Sequence, residues 1–219
     1  LVAGATGYLG SEICRRLRAH GKRVRALVRQ SSDSAKLDAL QALGVEFAYG
    51  DLRVPETLLA ACTGVEAVIT GETSIAAQRS EYINAVDRDG QIHLVDAAQQ
   101  AGVNHFIYVS FSRNLNTPSP LHTAKRLVED RIKTSGMDYT ILCPSFFMEY
   151  WLSPLIAFNP AAAEARIYGS GDLKIAWIAL GDVAEFAARS VDQPIACNAA
   201  IQLGGPELLS PREVIALFE

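Results

Sequence analysis

The sequence predicts an α/β protein, a doubly wound parallel sheet with a small C-terminal cap lobe, and two observations carry that expectation. Strand and helix signals alternate through most of the 219 residues, the pattern of a parallel sheet covered by helices on both faces. Gly4, Gly7 and Gly10 stand where the first strand gives way to the first helix, a spacing that allows a sharp turn and tight packing of helix on strand. Residues 1–145 read as the sheet core and 146–219 as a smaller cap region interleaved with it.

Leu1-Val-Ala reads as the first strand, and Leu9, Ile13 and Leu17 recur on one face of a helix that Gly21 closes. Arg23 to Arg29 reads as the second strand, Ser34 to Leu43 as a helix stopped by Gly44, and Val45 to Tyr49 as the third strand. Pro55 opens a helix that Gly64 ends, and Ala67 to Thr70 is the fourth strand. Tyr82 to Ala101 is a long helix closed by Gly102, followed by the fifth strand, Phe106 to Ser110. The polar loop Ser112 to Pro120 leads into a helix from Leu121 to Ser135, which Gly136 stops before the sixth strand, Tyr139 to Cys143.

From Ser145 onward the pattern loosens. Phe146, Phe147, Trp151 and Phe158 cluster with Pro154 and Pro160, and Tyr168-Gly-Ser-Gly171 makes a turn. Such a segment fits either a cap over the carboxyl ends of the strands or an aromatic satellite of the core under a long loop. Asp182 is expected to cap a helix from Val183 to Ser190, and Ser210-Pro-Arg-Glu213 is a capping box. The first strand has few residues before Gly4 and the last helix stops soon after Glu213, so a longer native protein is expected.

Composition narrows the function. Apolar residues make up 49% of the chain and the net charge is −4 with both signs interspersed, so there is no basic footprint for nucleic acid. No apolar run approaches the roughly 18 residues of a membrane span, and a cytoplasmic protein is the expectation. Cys14, Cys62, Cys143 and Cys197 are scattered without metal-ligand spacing, which reads as buried reduced thiols. Cys143 is the one to watch, since it ends a strand near the expected ligand face.

A strand-to-helix turn with glycines at this spacing is where a nucleotide pyrophosphate binds, because backbone N–H groups and the helix N-terminus favour an anion. Gly4, Thr6, Gly7, Tyr8, Leu9 and Gly10 are therefore the candidate cradle. About 20 residues past the glycines an acidic residue would accept from a ribose 2′-hydroxyl. Here that place holds Arg29, whose guanidinium matches a 2′-phosphate instead. With Ser31, Ser32 and Lys36 nearby, NADP is the expected cofactor and NAD the lesser one. The alternative is a solvated Arg29 with Ser32 or Asp33 serving as a helix cap. Asp51 and Leu52 after the third strand would lie by the adenine, or form a plain turn.

The glycine triplet, Val28-Arg, Gly50-Asp-Leu52, Phe106-Ile-Tyr-Val-Ser110, Lys125 with Glu129, and the run Ser135 to Glu149 together resemble the NmrA-like branch of atypical short-chain dehydrogenases/reductases. That resemblance implies a Rossmann fold binding NADP or NAD, in a family with quinone and azo-dye reductases, isoflavone-type reductases, redox sensors and photosystem assembly factors. It also implies roles for residues. Lys125 would grip the nicotinamide ribose, Ser110 would hydrogen-bond a bound oxygen, and Phe146 would flank the nicotinamide. The usual Tyr four residues before the Lys is Leu121 here, so the standard proton donor is missing and His122 is the nearby substitute suited to neutral pH. Where the family carries Arg before the Pro that follows the sixth strand, this chain has Cys143. Lys125 also has a plainer reading, a surface pair with Glu129 one turn away. Two functions follow from the resemblance. One is an NADP-dependent reductase of a small quinone, carbonyl or activated double bond; the other is an NADP-binding sensor or assembly factor with a protein partner.

Overall fold

The computed structural model describes residues 1–73, 82–114 and 119–218. Seven strands form one sheet: β1 (Val2–Ala3), β2 (Arg25–Val28), β3 (Glu46–Tyr49), β4 (Ala67–Thr70), β5 (His105–Val109), β6 (Asp138–Pro144) and β9 (Ala199–Leu203). Their order is β3-β2-β1-β4-β5-β6-β9 and every pairing is parallel. Parallel neighbours need a crossover between them, and helices supply it. A short hairpin, β7 (Phe158–Asn159) with β8 (Glu164–Ala165), stands apart from the sheet.

Alternation along each strand sends side chains into two cores. Phe106 and Tyr108 of β5 join Leu58, Leu94, Val128 and Ile132 on one face, while Ile107 and Val109 join Ile13, Leu17, Leu40 and Val183 on the other. The first face is covered by α3 (Leu58–Cys62), α4 (Gln91–Gln100) and α5 (Pro120–Lys133). The second is covered by α1 (Tyr8–Ala19), α2 (Ser34–Ala42) and α7 (Leu180–Ser190). This is the doubly wound arrangement that the sequence predicts. The strand order reverses between β1 and β4, so the crevice at their carboxyl ends is the topological switch point where open α/β sheets bind ligands.

Several elements differ from expectation. The strand β9 gave no clear signal, because its outward position Ala200 is apolar and the run Ala199–Leu203 therefore hides the regular alternation of its burial; it completes the sheet against β6, with Leu142 opposite Ile201. The long helix begins with a π-helical stretch, Ile83–Gly90, that runs into α4. Its wider coil sets Gly90 against Leu52, close enough that a Cβ there would stand 2.8 Å from Leu52 Cβ. Asp182 does not cap α7, which starts two residues earlier after Ala179. The Glu149 carboxylate instead accepts from the Leu180 N–H at 2.9 and 3.0 Å. Glu149 belongs to the short helix α6 (Met148–Trp151). The Ser210 capping box forms as read, at the start of α8 (Pro211–Ala216). Of the loop Ser112 to Pro120, residues 115–118 lie outside the described residues.

Candidate functional site

The glycine loop is built from backbone. Gly4 has φ +72 and its carbonyl accepts the Gly7 N–H at 2.9 Å, which closes the turn. Gly10 is buried so tightly that a Cβ would overlap the Gly4 carbonyl and reach 2.9 Å from Ala5 Cα. Gly7 is exposed, and a Cβ there would meet only Gly4 O, at 3.3 Å. Helix α1 follows with Gly7 at its N-cap, no side-chain cap and no acidic residue in its first turn, so no side-chain cap among the described residues claims its first N–H groups. Thr6 is half-buried in the turn, Tyr8 is exposed, and Leu9 packs against the core and Gly71.

At the end of β2, Arg29 is exposed and makes no ion pair among the described residues. Its N–H donates to Ser32 Oγ and its carbonyl accepts from the Ser32 N–H, both at 3.0 Å. Asp33, not Ser32, caps α2 by accepting from the Lys36 N–H. Ser31 and Lys36 are exposed beside Arg29 in sequence. Beyond β3, Asp51 is held by Arg53 through Nε at 3.0 Å, Nη2 at 2.6 Å and the backbone N–H at 2.9 Å. That hydrogen bonding keeps the Asp51 carboxyl below its ordinary range, and the Arg29 charge adds to the effect. The Leu52 side chain is buried in the core. Asp51 thus does form a turn, and Arg53, which the sequence reading passed over, is its partner.

The second half of the site gathers side chains from β5, the loop after it and α5. Lys125 is 5% exposed and Glu129 1%, so the surface pair between them does not exist. Lys125 Nζ donates to Val109 O at 3.3 Å and lies 5.1 Å from the centre of the Tyr108 ring. Burial lowers its pKa from the ordinary 10.5, against the opposing pull of Asp87 and Glu129. Glu129 accepts from Ser110 Oγ at 2.6 Å and from Arg113 Nη2 at 2.6 Å, and it also pairs with Arg126 Nη1. A buried carboxylate demands such compensation. The Ser110 hydroxyl proton is therefore committed to Glu129, and toward any bound oxygen Ser110 keeps acceptor capacity.

His122 is half-buried with its ring edge-on to Phe111 at 5.6 Å, and its N–H donates to the Ser119 cap. Tyr108 does not replace the missing tyrosine. Its hydroxyl is buried with no hydrogen-bond partner among the described residues, and burial raises its pKa well above 10. Cys143 is fully buried, and burial raises its thiol pKa with the Glu129 charge adding to it. Phe146 packs on Trp151 at 4.8 Å and on Trp177 at 5.9 Å. Phe158 is not part of that cluster, since it pairs with Phe218 at 5.2 Å. Trp177 was missed because it lies 26 positions beyond Trp151 in an irregular stretch; its Nε1 donates to Leu209 O at 2.8 Å.

The strand order, the glycine turn and the uncapped helix behind it define a Rossmann-type α/β protein. The chain belongs to the NmrA-like family, whose model matches residues 1–219. It is 35% identical over 218 residues to an NAD(P)H azoreductase of Xenophilus azovorans, covering 99% of this chain and 71% of that protein. It is 34% identical to the photosystem II assembly factor Ycf39 of Guillardia theta, covering 100% of this chain and 68% of that protein. Among solved structures, the NADPH complex of the Escherichia coli quinone oxidoreductase QOR2 superposes with a TM-score of 0.83 at 26% identity, covering 99% of this chain and 73% of that one. No helix among the described residues is long and apolar enough to cross a membrane.

Proposed function

We propose that this chain is a reductase that uses NADPH, in preference to NADH, to reduce a small planar acceptor such as a quinone. The observation that carries the reading is the buried Lys125, fixed at the carboxyl end of β5 with no surface partner to explain it. The similarity to an azoreductase and a quinone oxidoreductase supports it. A dinucleotide fits the glycine loop, because Gly7 leaves open the space a Cβ would fill and α1 offers unclaimed N–H groups. When bound, it would supply the hydride.

Gly4, Thr6, Gly7, Tyr8, Leu9 and Gly10 would hold the pyrophosphate through backbone, and Arg29 with Ser31 would meet the 2′-phosphate. Asp51 and Leu52 would border the adenine. Lys125 would grip the nicotinamide ribose, and its lowered pKa lets it release a proton more readily than an ordinary lysine. Ser110 would orient the reduced oxygen as an acceptor, with His122 relaying protons from solvent. The cluster of Phe146, Trp151 and Trp177 would wall the acceptor slot and exclude water. Of residues 146–219, the irregular stretch before α7 would act as the cap region, while α7 and β9 are built into the sheet core of residues 1–145.

The test is loss of NADPH absorbance with a panel of quinones. Lys125→Met should abolish turnover and weaken NADPH binding about tenfold, and affinity in the wild type should fall as pH rises through a Lys125 pKa below 10.5. Wild-type turnover in Lys125→Met would overturn the role. The similarity to an assembly factor favours a second reading, a dinucleotide-binding protein without turnover that engages a protein partner. Tight NADPH binding with no acceptor reduced would select it.

A further inference from the structure

Glu72 lies two residues past β4, on the other side of the switch point from the glycine loop. A Cβ at Gly4 would stand 3.0 Å from Glu72 Cβ and 3.2 Å from its Cα, so Glu72 packs directly against the first glycine of the loop. Its backbone is fixed from below. The buried Gln91 donates through Nε2 to Glu72 O at 3.2 Å and accepts from Thr70 Oγ1 at 3.1 Å.

The carboxylate is less well provided for. It makes no hydrogen bond or ion pair among the described residues, although it feels the charges of Arg29, Arg53, Asp51 and Asp87. Arg53 is occupied by Asp51. Arg29 and Arg53 at the ends of β2 and β3 are thus opposed by Asp51 and Glu72, and the crevice beside Arg29 carries no net positive charge from these four groups. Burial raises the pKa of Glu72, against the opposing pull of the Arg29 charge.

We infer that Glu72 is a specificity-determining residue of the dinucleotide crevice: held against Gly4, its negative charge opposes the cofactor's phosphates, and a 2′-phosphate most, so that it narrows the preference for NADPH that Arg29 would otherwise impose. This rests on the dinucleotide reading proposed above. A 2′-phosphate adds nearly two negative charges at neutral pH, and charge repulsion in a partly buried crevice is weakly screened. Removing one carboxylate charge should therefore favour NADPH more than NADH.

The experiment is titration of NADPH and NADH into the wild type and Glu72→Gln at low and high salt, with a thermal melt of each. Glu72→Gln keeps the shape and removes the charge. It should tighten NADPH binding about tenfold and NADH binding about threefold or less, with most of the gain surviving at high salt. Glu72→Ala should move the ratio the same way, which keeps the test open if one variant folds poorly. An unchanged ratio in both variants overturns the inference while leaving the dinucleotide reading in place. A selective loss of NADH affinity also overturns it, since the carboxylate would then be accepting from a ribose hydroxyl. If the wild type binds neither dinucleotide, the reading itself falls and the inference with it.

Discussion

At the glycine loop the chain presents backbone to the crevice and does so within ten consecutive residues, whereas around Glu129 three side chains, Ser110 and Arg113 from the segment after β5 and Arg126 from α5, converge on one buried carboxylate. The first half depends on what is absent, Cβ atoms at Gly4, Gly7 and Gly10. The second depends on charges being present and matched. Local spacing can encode the first, because every constraint lies within one turn. Only the tertiary fold can encode the second, since Arg113 and Ser110 reach Glu129 from 16 and 19 positions away.

The sharpest way to break this comparison is within the loop itself. Gly10→Val should cost more than about 4 kcal/mol or prevent folding, because no relaxation separates a side chain there from the Gly4 carbonyl. Gly7→Val should leave the melting temperature within a few degrees of wild type yet abolish dinucleotide binding by calorimetry. If both variants melt alike, the glycines do not divide into a packing residue and a ligand residue.

Next in size is the charged half. Glu129→Gln should destabilise the protein by about 2 kcal/mol in urea denaturation, since it weakens the charge-assisted hydrogen bonds at the buried Glu129 position, while the Arg113 and Arg126 guanidinia stay partly in water. Gly7→Val and Glu129→Gln would then have opposite signatures, binding without stability and stability before binding. A loss under 1 kcal/mol would mean solvent reaches the cluster freely.

The smallest expected effect lies outside both halves. Glu149→Gln should lower stability by about 1 kcal/mol, because the charge-assisted cap on the Leu180 N–H weakens while the fold stays. An unchanged denaturation midpoint would show that α7 is held by its packing on α1 alone.

Much of the core was legible because its signals are periodic or local. The apolar face of α1, the glycine stops and the Ser210 box each needed no more than a few neighbouring residues. The strand β9 was not, since this edge strand lacks the long apolar run of a central parallel strand, and an apolar Ala200 at an outward position masks its alternation. The site divided in the same way. Arg29 was visible as a cation at an acidic residue's usual place, but Trp177, Glu72 and the Arg113 and Ser110 partners of Glu129 were not, because each is placed by a contact between distant segments. Arg53, two residues from Asp51, is a local pairing that was passed over. Asp182 misled for a related reason. It has a cap's chemistry and a position inside the helix, and the residue that caps comes from another element.

The pairing of β9 with β6 has a further consequence. Ser145 N–H donates to Leu203 O at 2.8 Å and β9 begins at Ala199, so residues 146–198 leave the sheet and return to it between two anchored points. Loop-closure entropy changes only slowly with length. Residues 152–176 of that stretch lie outside both cores, so they can be inserted, deleted or exchanged with little strain on the strands that carry the glycine loop, whereas α7, packed in the core with α1, cannot. The architecture separates a part that can drift, the stretch between Trp151 and Trp177 of the aromatic wall, from a part that cannot, and lets one nucleotide crevice serve acceptors of many shapes over evolutionary time.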